Sequence, residues 1–258
     1  MMADFPGKRW IWWTRCKRPC DRSGQPVTDH PKRATEAFFG RRKGQQLRGR
    51  KQRLMDELLP RLRLDPTTET PAQTGDLFPG IPARFNLEIG FGGGEHLAGQ
   101  ADANRDEAFI GVEPFINGMA KMLGEIDDRS LTNVRLYDDD ATALLDWLPD
   151  GSLDRIDLLY PDPWPKTRNW KRRFVNQRNL SRFHRVLKPG GLFRFASDID
   201  TYVNWTLLHV RQSDLFDWTA QAADDWNTPW EGWTRTRYEA KAVREGRPAC
   251  YLQFTART

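Results

Sequence analysis

From residue 85 onward, short apolar runs alternate with longer stretches in which apolar residues recur at helical spacing. The pattern predicts strands near 85–89, 108–112, 133–137, 155–160 and 190–197, and helices near 94–103, 115–127, 141–148, 171–187 and 200–213. Such alternation is the signature of a parallel sheet with crossover helices. Two further strand-like runs, 216–219 and 249–254, predict an antiparallel hairpin that closes one sheet edge. The expected fold class is α/β, a doubly wound and mostly parallel seven-stranded sheet with a C-terminal antiparallel hairpin strand. Upstream the pattern weakens. Residues 1–31 show no periodicity, Leu54, Leu58, Leu59 and Leu62 predict one helix near 49–62, and Pro66, Pro71, Pro79 and Pro82 mark 64–84 as a linker. Three segments are therefore expected: an irregular basic leader (1–37), a basic arm with its linker (38–84) and the α/β body (85–258).

Charge sharpens this division. Residues 1–63 carry 17 Lys and Arg against 6 Asp and Glu, a net +11 in a chain whose total is only +5, so the body is mildly acidic. A basic appendage on an acidic body suits a polyanionic partner, because phosphate neutralisation supplies sequence-independent affinity. No apolar run reaches the roughly 18 residues of a membrane span. Lys8 and Arg9 precede only Trp10-Ile11-Trp12-Trp13, too short for a signal-peptide core of about 7–15 residues. The expectation is a cytoplasmic protein without a membrane partner. The three cysteines, Cys16, Cys20 and Cys250, support no disulfide framework. Cys16 and Cys20 with His30 lack a fourth ligand at finger-like spacing, so no metal is expected.

Candidate chemistry gathers at the ends of the predicted strands. In Leu87-Glu88-Ile89-Gly90-Phe91-Gly92-Gly93-Gly94, an acid and three glycines follow the spacing E-x-G-x-G-x-G directly off the first strand. Gly90, Gly92 and Gly94 let the backbone approach a cofactor and turn into a helix. A dinucleotide loop needs G-x-G-x-x-G, and here the last position falls on Glu95, which would set a negative charge beside a pyrophosphate. That disfavours NAD. S-adenosylmethionine has no phosphates and carries a positive ammonium and sulfonium, so Glu88 suits it. Glu113, 23 residues beyond Gly90 at the second strand end, is placed to accept ribose hydroxyls. Asp138, Asp139 and Asp140 end the third strand; one could accept an adenine amino group, and capping the next helix is the alternative.

The fourth strand delivers Tyr160-Pro161-Asp162-Pro163-Trp164-Pro165-Lys166, a stiff and partly apolar rim around one acid. Asp162 should face the reacting centre, since ligands bind at strand ends beside a topological switch point. Trp164 either stacks on a base or packs in the core. Five of the eight residues from Lys166 to Arg173 are basic (Lys166, Arg168, Lys171, Arg172, Arg173), which offers phosphate contacts beside an acidic pocket. Asp198, after the fifth strand, is a second acid for the substrate. An acid pocket with a basic flank points to a nucleic-acid substrate.

Together these residues resemble the bacterial tRNA (guanine-N7-)-methyltransferase family, over a stretch from about Phe38 to the C-terminus. The carriers are 87–94, Tyr160-Pro-Asp-Pro-Trp-Pro-Lys166 with its basic sequel, and Thr236-Arg237-Tyr238-Glu239. The resemblance implies a Rossmann-like fold and S-adenosylmethionine as cofactor, contacted by Glu88, Glu113, Asp140 and Asp162. It implies substrate binding by Lys166, Asp198, Thr236, Arg237, Tyr238 and Glu239. RNA contact is implied for Arg168, Lys171, Arg172 and Arg173. The implied substrate is the guanine at position 46 in the variable loop of tRNA. Methyl transfer would be a direct in-line displacement by N7, with Asp162 as the catalytic residue. Rivals are an amino-methyltransferase acting on adenine N6 or guanine N2, disfavoured because Asp162-Pro163-Trp164 lacks a second proline, and a non-catalytic RNA-binding protein on the same fold. A monomer and a homodimer are both compatible with the sequence.

Overall fold

The computed structural model describes residues 40–80 and 82–258; the leader, with Cys16, Cys20 and His30, lies outside the described residues. Two short helices, α1 (Arg50–Glu57) and α2 (Leu59–Leu62), realise the helix expected over 49–62 with a break at Leu58. Pro60 explains the break, because it has no N–H to continue the helical bonding. Then follow β1 (Phe85–Ile89), α3 (Glu95–Ala103), β2 (Ala108–Val112), α4 (Ile116–Arg129), β3 (Val134–Tyr137), α5 (Ala141–Trp147) and β4 (Leu153–Leu159). The second half holds α6 (Gln177–Val186), β5 (Leu187–Ser197), α7 (Asp200–Ser213), β6 (Phe216–Trp218), α8 (Asp224–Asn227), α9 (Arg237–Arg244) and β7 (Cys250–Ala256).

The seven strands form one sheet in the order β3-β2-β1-β4-β5-β7-β6. β1 to β5 are parallel, and β7 runs antiparallel to both neighbours, which places the C-terminal hairpin at one edge. The order reverses between β1 and β4, and that reversal creates the crevice at the carboxyl edge. Both faces are covered. Leu87, Ile89, Ile110 and Leu158 pack under residues of α5, α6 and α7, whereas Phe109 and Leu136 pack with Leu97 of α3 and Met119, Met122 and Leu123 of α4. Strands buried on both faces are uniformly apolar, which is why the first half of the sheet is plain in the sequence.

The arm and linker join this packing. Leu54, Leu59 and Leu62 are buried against the α3–α4 layer, Leu64 and Phe78 enter the opposite core, and the Leu64 amide donates to Leu136 O at 2.8 Å. The expected helix over 171–187 needs correction at its start. Residues 167–172 form a 3-10 turn, and α6 begins only at Gln177, where the Asn176 side chain caps it by accepting from the Asn179 amide at 3.0 Å. Among the described residues no helix is long and apolar enough to cross a membrane.

Candidate active site

β1 ends at Ile89, and the amides of Gly90 and Phe91 both donate to Val112 O, so the loop leaves the sheet still tied to β2. Gly92 has φ +60, a region that L side chains rarely adopt. The loop is also pressed from behind by α4. A Cβ at Gly118 would lie 2.1 Å from Gly92 O, so only glycine fits at that point of the helix.

Glu113 clamps the same loop. Its Oε2 accepts from the Gly92 amide at 2.7 Å and its Oε1 from the Phe115 amide at 2.9 Å. Burial raises the Glu113 carboxyl above its ordinary range against the pull of those two amides, and the nearby charges of Asp162 and Glu88 raise it further. Glu113 at the end of β2 therefore feels an acid from β1 and one from the β4 loop. The Gly92 N–H, which in an anion-binding loop would face a phosphate, is taken by a carboxylate. The chemistry of the crevice suits a cation and not a pyrophosphate.

Glu88 is buried and meets His96 Nδ1 at 2.7 Å; His96, in the first turn of α3, in turn packs against Trp233 with ring centroids 4.7 Å apart. The aspartates after β3 divide their work. Asp138 pairs with Arg63 at 2.8 Å and Asp139 with Arg42 at 2.6 Å, both from the basic arm, while Asp140 caps α5 by accepting from the Thr142 amide and hydroxyl at 2.9 Å. The arm therefore runs beside the carboxyl ends of β2 and β3. There the Ile116 amide donates to Arg42 O at 3.0 Å.

Asp162 stands on the exposed rim after β4, yet the protein around it desolvates its carboxyl enough to raise its pKa. Among the described residues no donor binds it. Its loop is held in an uncommon shape: Tyr160 and Trp164 have φ of 49° and 45°. Non-glycine residues in that region cost about 1–3 kcal/mol each and persist only where the surroundings impose them. Asp198, at the end of β5, is bonded through Oδ2 to Arg247 Nε at 2.6 Å.

The excursion between β6 and β7 brings the tail motif back over the loop. Thr236 caps α9, its hydroxyl accepting from the Glu239 amide at 3.1 Å, and the buried Glu239 carboxylate accepts from Trp233 Nε1 at 2.7 Å and from the Tyr251 hydroxyl at 2.6 Å. Thr236 and Glu239 thus anchor the segment. Arg237 and Tyr238 reach the crevice: Arg237 pairs with Glu95, and Tyr238 lies so near the loop that a Cβ on Gly92 would be 3.0 Å from its ring.

The basic turn divides. Lys166, Arg168 and Lys171 are exposed, and Arg172 lies over the Trp164 ring at 4.9 Å, which gives that tryptophan a partner at the rim. Arg173 departs from the expectation of RNA contact. It is 1% exposed, donates to Pro163 O at 3.0 Å and to Thr201 O at 2.7 Å, and is enclosed by Trp170, Tyr202 and Trp205. Burial lowers its pKa to about 10. Its task is to hold the Asp162 loop on α7.

Glu88, Gly90, Gly92, Gly94, Glu113, Asp140, Asp162 and Asp198 all come to the carboxyl edge of the sheet. Three residues of this neighbourhood were not singled out from sequence: His96, Gly118 and Arg247. His96 follows the glycine loop by two residues and was findable there; the others are defined only by contacts with distant segments.

Residues 83–252 match a family model described as "Putative methyltransferase". The tRNA (guanine-N(7)-)-methyltransferase of Rhizobium meliloti (strain 1021) is 62% identical over 222 residues, covering 86% of this chain and 96% of that one. That of Agrobacterium fabrum (strain C58 / ATCC 33970) is 61% identical over 225 residues, covering 87% and 97%. That of Brucella melitensis biotype 1 is 58% identical over 229 residues, covering 89% and 98%. With a glycine loop clamped by the Glu113 carboxylate at the switch point and relatives this similar along nearly their whole length, the chain belongs to the tRNA (guanine-N(7)-)-methyltransferase family.

Proposed function

We propose that the protein transfers a methyl group from S-adenosylmethionine to N7 of guanine in tRNA, at position 46 of the variable loop. The observation that carries the reading is the convergence of Glu88, Glu113 and Asp162 around a glycine loop whose own amide is already satisfied by a carboxylate. Such a crevice has an excess of negative charge, and the Arg237 guanidinium that reaches it is already paired with Glu95, so it favours a cationic ligand. S-adenosylmethionine supplies a methyl group activated on a positive sulfur. Glu113 and Asp140 would hold its adenosine, and Glu88, Asp162 and the glycine loop its methionine end.

Guanine N7 carries no proton at neutral pH, so it attacks without a general base. As the new bond forms the purine gains positive charge. Asp162, without a competing donor among the described residues, is placed to stabilise that charge and to hold the base at attack distance. Tyr238, half-exposed beside Gly92, forms an apolar wall for the base. Lys166, Arg168 and Lys171 lie on the exposed side, where a phosphate backbone would pass.

The test is methylation of an unmodified tRNA transcript followed by nucleoside mass spectrometry. The expected product is 7-methylguanosine in the variable loop; a methyl group on an exocyclic amine would overturn the reading. Asp162→Ala is expected to lower kcat by about 100-fold or more, the scale of a lost preorganised charge. Near-normal turnover in that variant would remove Asp162 from the chemistry.

A further inference from the structure

Arg247 belongs to the turn between α9 and β7, and it reaches the strand ends because Cys250 pairs with Ser197 in the antiparallel register. Its Nε donates to Asp198 Oδ2 at 2.6 Å, and its Nη1 is bonded to Glu245. Among the described residues Asp198 Oδ1 and Arg247 Nη2 have no further partner. The pair therefore presents an acceptor and a donor side by side. The Asp198 side chain is 11% exposed and that of Arg247 37%, so the carboxylate is recessed and the guanidinium stands at the mouth.

That combination is complementary to one base edge. Guanine offers O6 as an acceptor next to N1–H and the N2 amino group as donors. A carboxylate takes N–H groups and a guanidinium gives one to a carbonyl. Adenine reverses both positions, placing an amino donor against the guanidinium and a bare N1 against the carboxylate. We propose that the Asp198–Arg247 pair reads the Watson–Crick edge of the target guanine, with Asp198 accepting from N1–H and the N2 amino group and Arg247 donating to O6. Arg247 is then a specificity-determining residue. The proposal rests on the guanine-N7 reading above and adds the residue that distinguishes guanine from adenine.

The charges agree with the chemistry. A lone guanidinium beside a purine that becomes cationic would oppose the reaction. Arg247 is bonded to both Asp198 and Glu245, so its charge is offset while its donor remains. β4 and β5 are neighbours, so the segments that carry Asp162 and Asp198 leave the sheet from adjacent strand ends. In the proposed pose a purine lies between them, with N7 toward the first and its pairing edge toward the second.

The experiment replaces the target guanosine by 6-thioguanosine in an otherwise identical ligated tRNA. Sulfur is a poor acceptor, so the wild type is expected to lose about tenfold or more in kcat/KM, the scale of a hydrogen bond to a charged group. Arg247→Met is expected to be slower on guanosine and to shrink the oxygen-to-sulfur ratio by about tenfold, because the donor that sensed the difference is gone. An unchanged ratio in Arg247→Met overturns the proposal, since a residue that merely steadied Asp198 would slow both substrates alike. Equal wild-type rates on the two tRNAs overturn it too, whether or not the variant folds. A wild type that forms no 7-methylguanosine on the all-guanosine tRNA refutes the functional reading itself, so the two failures are distinct.

Discussion

Glu113 shows how one side chain carries both architecture and chemistry. Its two oxygens hold the amides of Gly92 and Phe115, and its ionised form is penalised by burial and by the acids around it. The sign of the consequence follows. A carboxyl raised in the folded state favours its protonated form there, so its contribution to stability is present below the unfolded value and lost as pH rises through the raised one. A cationic ligand reverses that penalty by favouring the carboxylate. Cofactor affinity should therefore increase as pH rises toward the raised Glu113 pKa, by up to about tenfold per pH unit for one released proton. In Glu113→Gln the affinity should be lower, because an amide has one acceptor oxygen for two N–H groups, and this step absent, because the amide has no proton to release. Calorimetric titrations at several acid pH values check it, and an unchanged slope in the variant would assign the proton elsewhere. Glu113 was legible from its distance to Gly90 and its place at a strand end. Gly118 was not, because a glycine within a helix carries no sign of the backbone oxygen that will press on it.

At the scale of elements, each acid at a strand end also has a structural duty, and the two must be separated by choice of substitution. Asp140 caps α5. Asp140→Asn keeps a good cap and removes the charge, whereas Asp140→Ala removes both. The asparagine variant should melt within a few tenths of a kcal/mol of the wild type and bind the cofactor more weakly, and the alanine variant should in addition lose about 1 kcal/mol of stability. Thermal melts beside cofactor titrations decide this. Full affinity in Asp140→Asn would confine the residue to capping. The parallel half of the sheet was readable because strands covered on both faces are continuous apolar runs. The start of α6 was not. A run of basic residues up to Arg173 reads as a flank for phosphates, but the aromatic enclosure that removes Arg173 from water is partly supplied by Tyr202 and Trp205 of α7, about thirty residues later. In the same way the anchoring of 236–239 depends on Trp233 and Tyr251, which only the completed hairpin brings together.

For the whole molecule the governing feature is the separation of charge: acids converge on the crevice, the arginines that reach it, Arg237 and Arg247, are paired with acids, and the exposed bases of the turn stand outside it. An RNA drawn in by Lys166, Arg168 and Lys171 then meets carboxylates only where a base, and not a phosphate, must enter. Each phosphate contact adds to the salt dependence of binding, by about 0.7 in the log–log slope for single strands and about 0.9 for duplex. Alanine at Lys166, Arg168 and Lys171 together should therefore reduce the slope of log K against log salt by about 2 to 3 while kcat at saturating tRNA stays nearly unchanged. Arg173→Ala should behave in the opposite manner. It leaves the slope alone, because its guanidinium meets no phosphate, but it leaves Pro163 O and Thr201 O without their donor and lowers stability by about 2 kcal/mol or more. Filter-binding titrations over a salt series, run beside thermal melts, separate the two classes of arginine and lysine. Should Arg173→Ala lower the slope as much as one of the exposed positions, the buried guanidinium must leave its enclosure when tRNA binds, and the Asp162 loop would then be remade by the substrate rather than preformed for it.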